Sequence, residues 1–194
     1  MRRVLIAAAI AGLALTPLPA AATGEIEGLI TDHDRSRLAA FDVTRAEAVL
    51  EAHTQGGALA DIGMLDEILA RQPVSFEGFD MTGDWQCRTI KVGGPAALVV
   101  YSWFRCKVTD DGSGWRLEKI SGSQRTAGRF FTESDTTLTY LGSLYIADGA
   151  SPAYGSGPDS DQVGRVFRSS ADRWRIEFPA PRFESRHDIL EFRR

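Results

Sequence analysis

The sequence predicts an α+β protein in which N-terminal amphipathic helices pack on an antiparallel meander of about eight strands, closed into a barrel or curved into a half-barrel. Before residue 83, apolar residues recur every three or four positions, the period of a helix that buries one face. From Gly83 onward the period is two, in short runs rich in branched and aromatic residues. Most connections between these runs are short, so consecutive strands are expected to be antiparallel neighbours. Closing such a meander removes exposed sheet edges.

The chain begins with a pattern typical of a secretory signal peptide. Arginines follow Met1, an apolar run covers residues 4–15, and residues 20–22 have the small side chains of a cleavage site. We expect residues 1–22 to be removed and 23–194 to form one domain. The apolar run is too short to span a membrane, and no cysteine lies at the cleavage site to carry a lipid. The mature protein is therefore expected to be periplasmic or secreted.

Three helices are expected in the first part of the mature chain, residues 23–82, which we call the helical arm. The first begins at Thr31 or Asp32 and ends near residue 40. The second begins at Thr44, which has Glu47 three positions later as in a capping box. The third covers residues 58–71 and ends before a proline.

Eight strands are expected in residues 83–194, the barrel. The one long connection, residues 147–161, is rich in Gly, Ser and Pro and is longer than most loops of a compact domain. Two interpretations of it are open, a lid over one barrel mouth and a disordered surface loop. The predicted strands cover residues 84–92, 97–109, 114–121, 124–131, 136–146, 162–169, 173–179 and 185–193.

The two cysteines lie in the first two predicted strands, on either side of a Gly-Gly-Pro turn at residues 93–95. Export to an oxidising compartment makes a disulfide between Cys87 and Cys106 the expected state, and it would add ~3 kcal/mol of stability. If the cysteines lie opposite each other, side-chain alternation puts Leu98 and Val100 on the cystine face and makes that face core.

The opposite face of this hairpin provides a first candidate site. Arg88, Trp103 and Arg105 would cluster there, with Arg88 and Arg105 paired across the two strands. Two arginines held together need an anionic group between them. Either the arm supplies it and the cluster is a docking seam, or the cluster binds a ligand. Within the arm, the candidate acids are Asp32, Asp34 and Glu51.

The charge distribution agrees with such a seam. The formal net charge of −4 becomes −6 when the two leader arginines are removed, which makes nucleic acid an unsuitable partner. Residues 23–82 hold twelve acidic residues against four arginines, whereas residues 83–194 hold fourteen acidic residues against sixteen Lys and Arg. An ordinary solvated helix surface is the alternative explanation.

Two further groups of residues bear on a ligand site. Gln124 and Arg125 belong to a dense polar turn at residues 121–126 that could bind a carboxylate or a hydroxyl, or only satisfy its own backbone. The tryptophans could line a cavity or pack as a solid core. They are Trp85, Trp103, Trp115 and Trp174.

No motif for hydrolysis, nucleotide binding, redox or metal chemistry is present, so neither a catalytic residue nor a cofactor is predicted. His33, His53 and His187 are separated along the chain and are interpreted as surface histidines rather than as a metal site. The function favoured is a noncatalytic binding module for a small ligand or an envelope protein. The alternative is a hydrolase-type enzyme whose active site forms only in three dimensions.

Four segments taken together resemble a family of exported bacterial proteins, domain of unknown function 4893. They are GDWQCRTIK at residues 83–91, YSWFRC at 101–106, GSQR at 122–125 and YLG at 140–142. The resemblance implies an exported bacterial protein and no particular reaction. More loosely, the Gly-x-Trp at residues 83–85 is similar to the first strand of lipocalin and avidin-like barrels.

Overall fold

The structure, a computed structural model, describes residues 23–194; the predicted signal peptide lies outside the described residues. Four helices precede nine strands. No helix in the described part of the chain is long and apolar enough to cross a membrane. The elements are α1 (Thr23–Leu29), α2 (Asp32–Ala39), α3 (Phe41–Gln55), α4 (Leu59–Ala70), β1 (Gly83–Val92), β2 (Leu98–Val100), β3 (Phe104–Asp110), β4 (Trp115–Lys119), β5 (Gln124–Ser134), β6 (Thr137–Ile146), β7 (Asp161–Arg168), β8 (Arg173–Pro179) and β9 (His187–Arg193).

The strands form a closed antiparallel barrel. From β3 to β9 each strand pairs with the next along the chain, β3 also pairs with β1, and β9 pairs back with β1 over its whole length. The eight strands β1 and β3–β9 therefore leave no open seam. The ninth strand, β2, pairs with the second half of β1. The predicted α+β barrel of about eight strands is confirmed, in its closed form.

The hairpin that carries the disulfide differs from the expected one. The strand predicted over 97–109 is divided into β2 and β3, and the register shifts between them. Cys87 lies opposite Phe104 and Trp85 lies opposite Cys106, so the cysteines are diagonal neighbours rather than a facing pair. Both side chains still point inward, and they form the disulfide with their Cα atoms 5.9 Å apart.

The same register shift overturns the prediction for Leu98 and Val100. They pair with Val92 and Ile90 on the outer face of β1, not on the cystine face. There they join an apolar cluster under the helices, which includes Leu65 of α4. In a continuous strand, Leu98 and Val100 would face inward together with Cys106. Because the strand is broken at residues 101–103, they face outward while Cys106 still faces inward.

Aromatic side chains fill one end of the barrel. The rings of Trp174 and Phe192 stack with centroids 3.5 Å apart, and Trp85 contacts Trp174 edge to face. Phe76 and Met81, from the segment before β1, close this end. Here the packed-core interpretation of the tryptophans is correct for Trp85 and Trp174. Trp103 lies outside the barrel.

The helices α2 and α3 cover the outer face on the side of β7, β8, β9 and β1, whereas α1 contacts β5 and α4 contacts β2. α2 begins as predicted, because the Thr31 hydroxyl accepts a hydrogen bond from the backbone N–H of Asp34. α3 begins earlier than predicted, at Phe41, so that Thr44 is not its cap and instead donates to the carbonyl oxygen of Ala40. The helix α1 had no counterpart in the sequence prediction.

The buried face of α2 is charged rather than apolar. Asp34 and Arg37 form an ion pair at 2.9 Å, and both are buried. Arg37 also donates to the carbonyl oxygens of Pro179 and Asp161, at the ends of two barrel strands. This helix is therefore held on the barrel by hydrogen bonds, which the apolar periodicity could not reveal.

The segment 147–161 packs beside α2 and along the outer faces of β5 and β6. It is therefore neither a lid over a barrel mouth nor a disordered surface loop, the two alternatives left open by the sequence. The Tyr154 hydroxyl donates to the Asp34 carboxylate at 2.8 Å. The carboxylate of Asp161 accepts from the backbone N–H groups of Gly155 and Gly157, which orders the second half of the segment. Residues 151–154 line an outer groove together with Leu141 rather than the barrel mouth.

Candidate functional site

At the end of the barrel opposite Phe76, the inward-facing positions change from aromatic to polar. This end is formed where β1, β4, β6 and β8 finish and where β3, β5, β7 and β9 begin. We call its inner surface the barrel mouth. The polar side chains of the barrel mouth are Thr89, Lys91, Lys119, Gln124, Thr126, Gln162 and Asp188.

Two adjacent cavities occupy the mouth. The inner one, of about 50 Å³, rests on the last core side chains, Phe178 and Leu190. The second, of about 150 Å³, opens outward past Phe104. Thr89 and Lys119 line both cavities, and a space of this combined extent accepts a small organic ligand.

Lys119 is the most unusual residue of the mouth. Its side chain is only 6% exposed, yet within residues 23–194 it has no hydrogen bond and no carboxylate partner. Its ammonium lies 4.5 Å from the centroid of the Phe104 ring, in a cation–π contact. Burial and, after it, the positive charges of Lys91 and Arg125 together lower the pKa of Lys119 to about 8, against the opposing effect of Asp188.

Lys91 is held by a different kind of contact. Its ammonium pairs at 2.5 Å with the carboxylate of Glu184, which lies in the loop before β9. Gly94 fixes that loop, since its φ of +91° suits glycine and a side chain there would collide with the Glu184 carbonyl oxygen. Lys91 is therefore neutralised locally, whereas Lys119 has no carboxylate partner among the described residues.

Asp188 lines the inner cavity and accepts a hydrogen bond from the Ser185 hydroxyl at 2.5 Å. Burial raises the pKa of Asp188 to about 6, although that hydrogen bond and the charges of Lys91 and His187 oppose the shift. The carboxyl group is consequently neutral in mildly acidic solution and negative above it. It does not form an ion pair with Lys119.

A hydrogen-bond network forms the far wall. The Thr126 hydroxyl contacts the hydroxyl of Tyr140 at 2.7 Å and the side-chain oxygen of Gln162 at 2.5 Å. Gly128 and Gly142 give the Tyr140 ring its position, because a Cβ on either would lie within 2.7 Å of the ring or its hydroxyl group. This wall is polar and closely packed, and the aromatic core of the barrel stops at it.

Of the residues predicted for binding, two lie at the mouth. Gln124 lines both cavities and its amide makes no hydrogen bond within the described residues. Arg125 lies at the rim of the inner cavity and donates from Nε to the carbonyl oxygen of Gly122. They remain predictions for ligand contact.

The other three predicted residues lie on the outer face. Arg88 pairs with Glu191 of β9 at 2.6 Å, so the acid comes from the barrel and not from Asp32, Asp34 or Glu51 as expected. Trp103 lies between the guanidinium groups of Arg88 and Arg193, at 4.5 and 4.0 Å.

The expected Arg88–Arg105 pair does not form. Arg105 lies opposite Gln86, because of the register shift, and its side chain is exposed. The helical arm does form an ion pair with the barrel elsewhere, between Glu51 and Arg186 at 2.6 Å.

One of the three histidines is not on the surface as interpreted. His187 is 1% exposed and its Nε2 lies 3.1 Å from a carboxylate oxygen of Glu177. Burial alone would raise the pKa of Glu177, but the hydrogen bond from His187 and the charges of Arg175 and Arg45 hold it at about 2. Phe41 of α3 packs edge to face on the imidazole, which seals this group beneath the arm.

The mouth residues that sequence reasoning missed carry a signal in the strand alternation. Lys119 has the same parity as Leu117 in β4, and Lys91 has the same parity as Cys87 in β1, so each should face the interior. Asp188 likewise shares the inward face of β9 with Leu190. A charged residue at the end of a strand, in step with the inward-facing apolar residues of that strand, was the signal in the sequence that could have identified the mouth.

No group of three or more histidine, cysteine or acidic side chains arranged to hold a metal occurs among residues 23–194. No curated protein and no solved structure matches the chain. One family model matches it over residues 27–192, from the middle of α1 to the end of β9, and its description is Domain of unknown function (DUF4893). A match of that extent, which takes in the helical arm and all nine strands, means that this protein belongs to the DUF4893 family.

Proposed function

We propose that the protein is an exported, noncatalytic binding module that holds a small anion in the barrel mouth. In this proposal residues 23–194 act as one domain in the periplasm or outside the cell. The helical arm covers one side of the outer face of the barrel, and the ligand is held inside the mouth. The disulfide supports an oxidising compartment.

The observation that carries the proposal is the ammonium of Lys119. A cation that is nearly buried and has no anionic partner is costly to a folded protein. Such a group is commonly retained where function needs a pKa or a charge that the fold would not otherwise keep. A bound anion at Lys119 would supply the missing partner, and Gln124 and Thr89 could complete its hydrogen bonds.

A binding role has more support than a hydrolase. Hydrolysis by side chains needs a nucleophile or base oriented by a second group next to the substrate. The buried His187–Glu177 contact lies under α3 on the outer face of the barrel, where Phe41 covers the imidazole, so it does not face the mouth. An envelope protein at Arg88 and Trp103 has less support, because Arg88 is already paired with Glu191.

The proposal is tested by NMR titration of the mature protein with sodium acetate. We expect amide shifts at Thr89, Lys119 and Gln124, with saturation. Lys119→Met should weaken acetate binding about 10- to 100-fold, the equivalent of a lost charge-assisted hydrogen bond of ~1.5–3 kcal/mol. Lys107→Met, a matched change at an exposed position on the outer face of β3, should leave the affinity unchanged.

Thermal unfolding distinguishes a binding role of Lys119 from a structural one. Removing an unpaired buried cation should keep or raise the melting temperature of Lys119→Met. A variant that unfolds at a lower temperature while it still binds acetate normally would show that the ammonium serves packing. The proposal would then be rejected.

A further inference from the structure

A third cavity continues the mouth outward, along the turn between β1 and β2. Its volume is about 300 Å³. It shares Lys91, Tyr101 and Glu184 with the second mouth cavity, just as that cavity shares Thr89 and Lys119 with the inner one. The three spaces therefore adjoin one another, in order from the core of the barrel to its surface.

The chemistry of the path changes along its length. The inner end presents Lys119 and hydrogen-bonding side chains. The outer end is lined by apolar side chains, of which Tyr101 is 41% exposed and Val99 is partly exposed. The apolar residues of this outer part, which we call the tail channel, are Pro95, Ala96, Leu98, Val99 and Tyr101.

The charges at the inner end match a single negative charge. Lys91 is neutralised by Glu184, and Arg125 donates to the Gly122 carbonyl oxygen, so Lys119 is the one cation of the mouth cavities that has neither a hydrogen bond nor an ion pair among the described residues. Asp188 beside it would repel a second negative charge. A carboxylate is the compact monoanion whose two oxygens can reach both an ammonium and a neighbouring amide such as Gln124.

We infer that the ligand is an amphipathic monocarboxylic acid, with its carboxylate at Lys119 and an apolar chain along the tail channel. This inference rests on the proposed anion site and adds the class of molecule. The adjacency of the cavities supports one ligand rather than two, because a molecule whose head group is bound at Lys119 can extend from the second mouth cavity into the adjoining tail channel. Burying the apolar chain would remove Val99 and Tyr101 from water.

The test compares three probes by isothermal titration calorimetry: acetate, octanoate and octanol. Octanoate should bind at least about 10-fold more tightly than acetate, since each buried methylene adds affinity. Octanol, which lacks the charge, should bind at least about 10-fold more weakly than octanoate. Lys119→Met should weaken acetate and octanoate alike.

Val99→Asn tests the tail channel separately. It should reduce the advantage of octanoate over acetate several-fold and leave acetate binding unchanged. Val43→Asn is the matched control, because Val43 is 60% exposed on α3 and lies away from the path. Melting curves of both variants establish that they are folded.

The outcomes separate the two proposals. Acetate binding that depends on Lys119 without any gain for octanoate would overturn the tail channel and leave the anion site in place. Equal binding of octanol and octanoate would overturn the acidic head group. Binding of neither acid, or binding that Lys119→Met does not change, would reject the anion site and the further inference together.

Discussion

The ammonium of Lys119 and the ring of Phe104 lie 4.5 Å apart at the mouth of the barrel, where the strand β4 ends beside the start of β3. The ring gives the cation partial compensation at its face but leaves its N–H donors free for another group. The proposed anion site is centred on this contact. The ring holds the charge in place, and the cavity leaves room for an anion beside it.

Acetate affinity should depend on pH in two steps. Below about pH 6, but above the pKa of acetic acid itself, Asp188 is neutral, Lys119 is charged and the ligand is an anion, so affinity is highest in that range. It should fall as the Asp188 carboxyl loses its proton near pH 6, and fall again as the Lys119 ammonium loses its proton near pH 8. Calorimetric titrations at constant ionic strength would measure both steps.

Asp188→Asn provides the control for the first step. An amide cannot ionise, so this variant should lose the decrease near pH 6 and keep the decrease near pH 8. An affinity that does not change between these pH values in the unmodified protein would contradict the assignment of both groups to the ligand site.

Arg88→Ala and Arg105→Ala should differ in their free energy of unfolding, although the sequence predicted that Arg88 and Arg105 belong to one cluster. Arg88 neutralises Glu191, which is 1% exposed, and shares it with Arg71 of the arm. Its removal should lower the free energy of unfolding by about 1–3 kcal/mol. Arg105 is exposed, so its replacement should stay within about 0.5 kcal/mol. Urea unfolding measures both, and equal losses would contradict the observed register.

Tyr154→Phe should loosen the segment 147–161. The hydroxyl donates to Asp34 at 2.8 Å and accepts from the backbone N–H of Thr31 at 3.2 Å, so its loss leaves buried polar groups less well paired. We expect a loss of about 1–2 kcal/mol and faster proteolysis within the segment.

Tyr145→Phe serves as the comparison for Tyr154→Phe, because the Tyr145 hydroxyl makes no hydrogen bond within the described residues. It should show neither the stability loss nor the faster cleavage. If limited proteolysis finds the two variants alike, the Tyr154–Asp34 contact does not hold the segment on the barrel.

The Glu177 carboxylate should stabilise the fold except in strong acid. Its pKa is held at about 2 in the folded protein, below the value of about 4.3 for an unfolded chain. The stabilisation is thus complete above about pH 4.3 and is lost as the pH falls through 2. Glu177→Gln should cost about 3–5 kcal/mol near neutral pH, because it leaves Arg45 and Arg175 without a charge partner.

The difference between Glu177→Gln and the unmodified protein should shrink as the pH is lowered below about 4.3. Urea unfolding at a series of pH values measures it. Glu47→Gln, at an exposed position on α3, should show no comparable loss at any pH. A constant difference across the series would mean that charge is not the source of the stabilisation.

Most of the strands could be predicted because alternation is a local signal. The strand at Arg173–Pro179 has the predicted bounds, and the strand ending at Ile146 differs by one residue at its start. The break after Val100 could not be predicted, since residues 97–109 keep a strand-like composition while β2 and β3 pair with different halves of β1 in different registers. The charged buried face of α2 was hidden for a related reason: its partners, such as the Pro179 carbonyl oxygen, come from the far end of the chain.

The candidate site was only partly predictable. Gln124 and Arg125 drew attention as part of a polar turn, and both lie at the mouth. Lys119 was overlooked because a lysine near a strand end resembles an ordinary surface residue until its neighbours are known. Its burial depends on Phe104 and on Lys91 of other strands, so it is a property of the closed barrel and not of the local sequence.

The most direct test of the anion site is the pKa of Lys119 itself. NMR titration of its side-chain resonances in the mature protein should give a pKa near 8 without ligand, because the buried ammonium has no anionic partner. Saturating acetate should raise that pKa, since the bound anion stabilises the charged form. A pKa near the ordinary value of about 10.4 that acetate leaves unchanged would contradict the account.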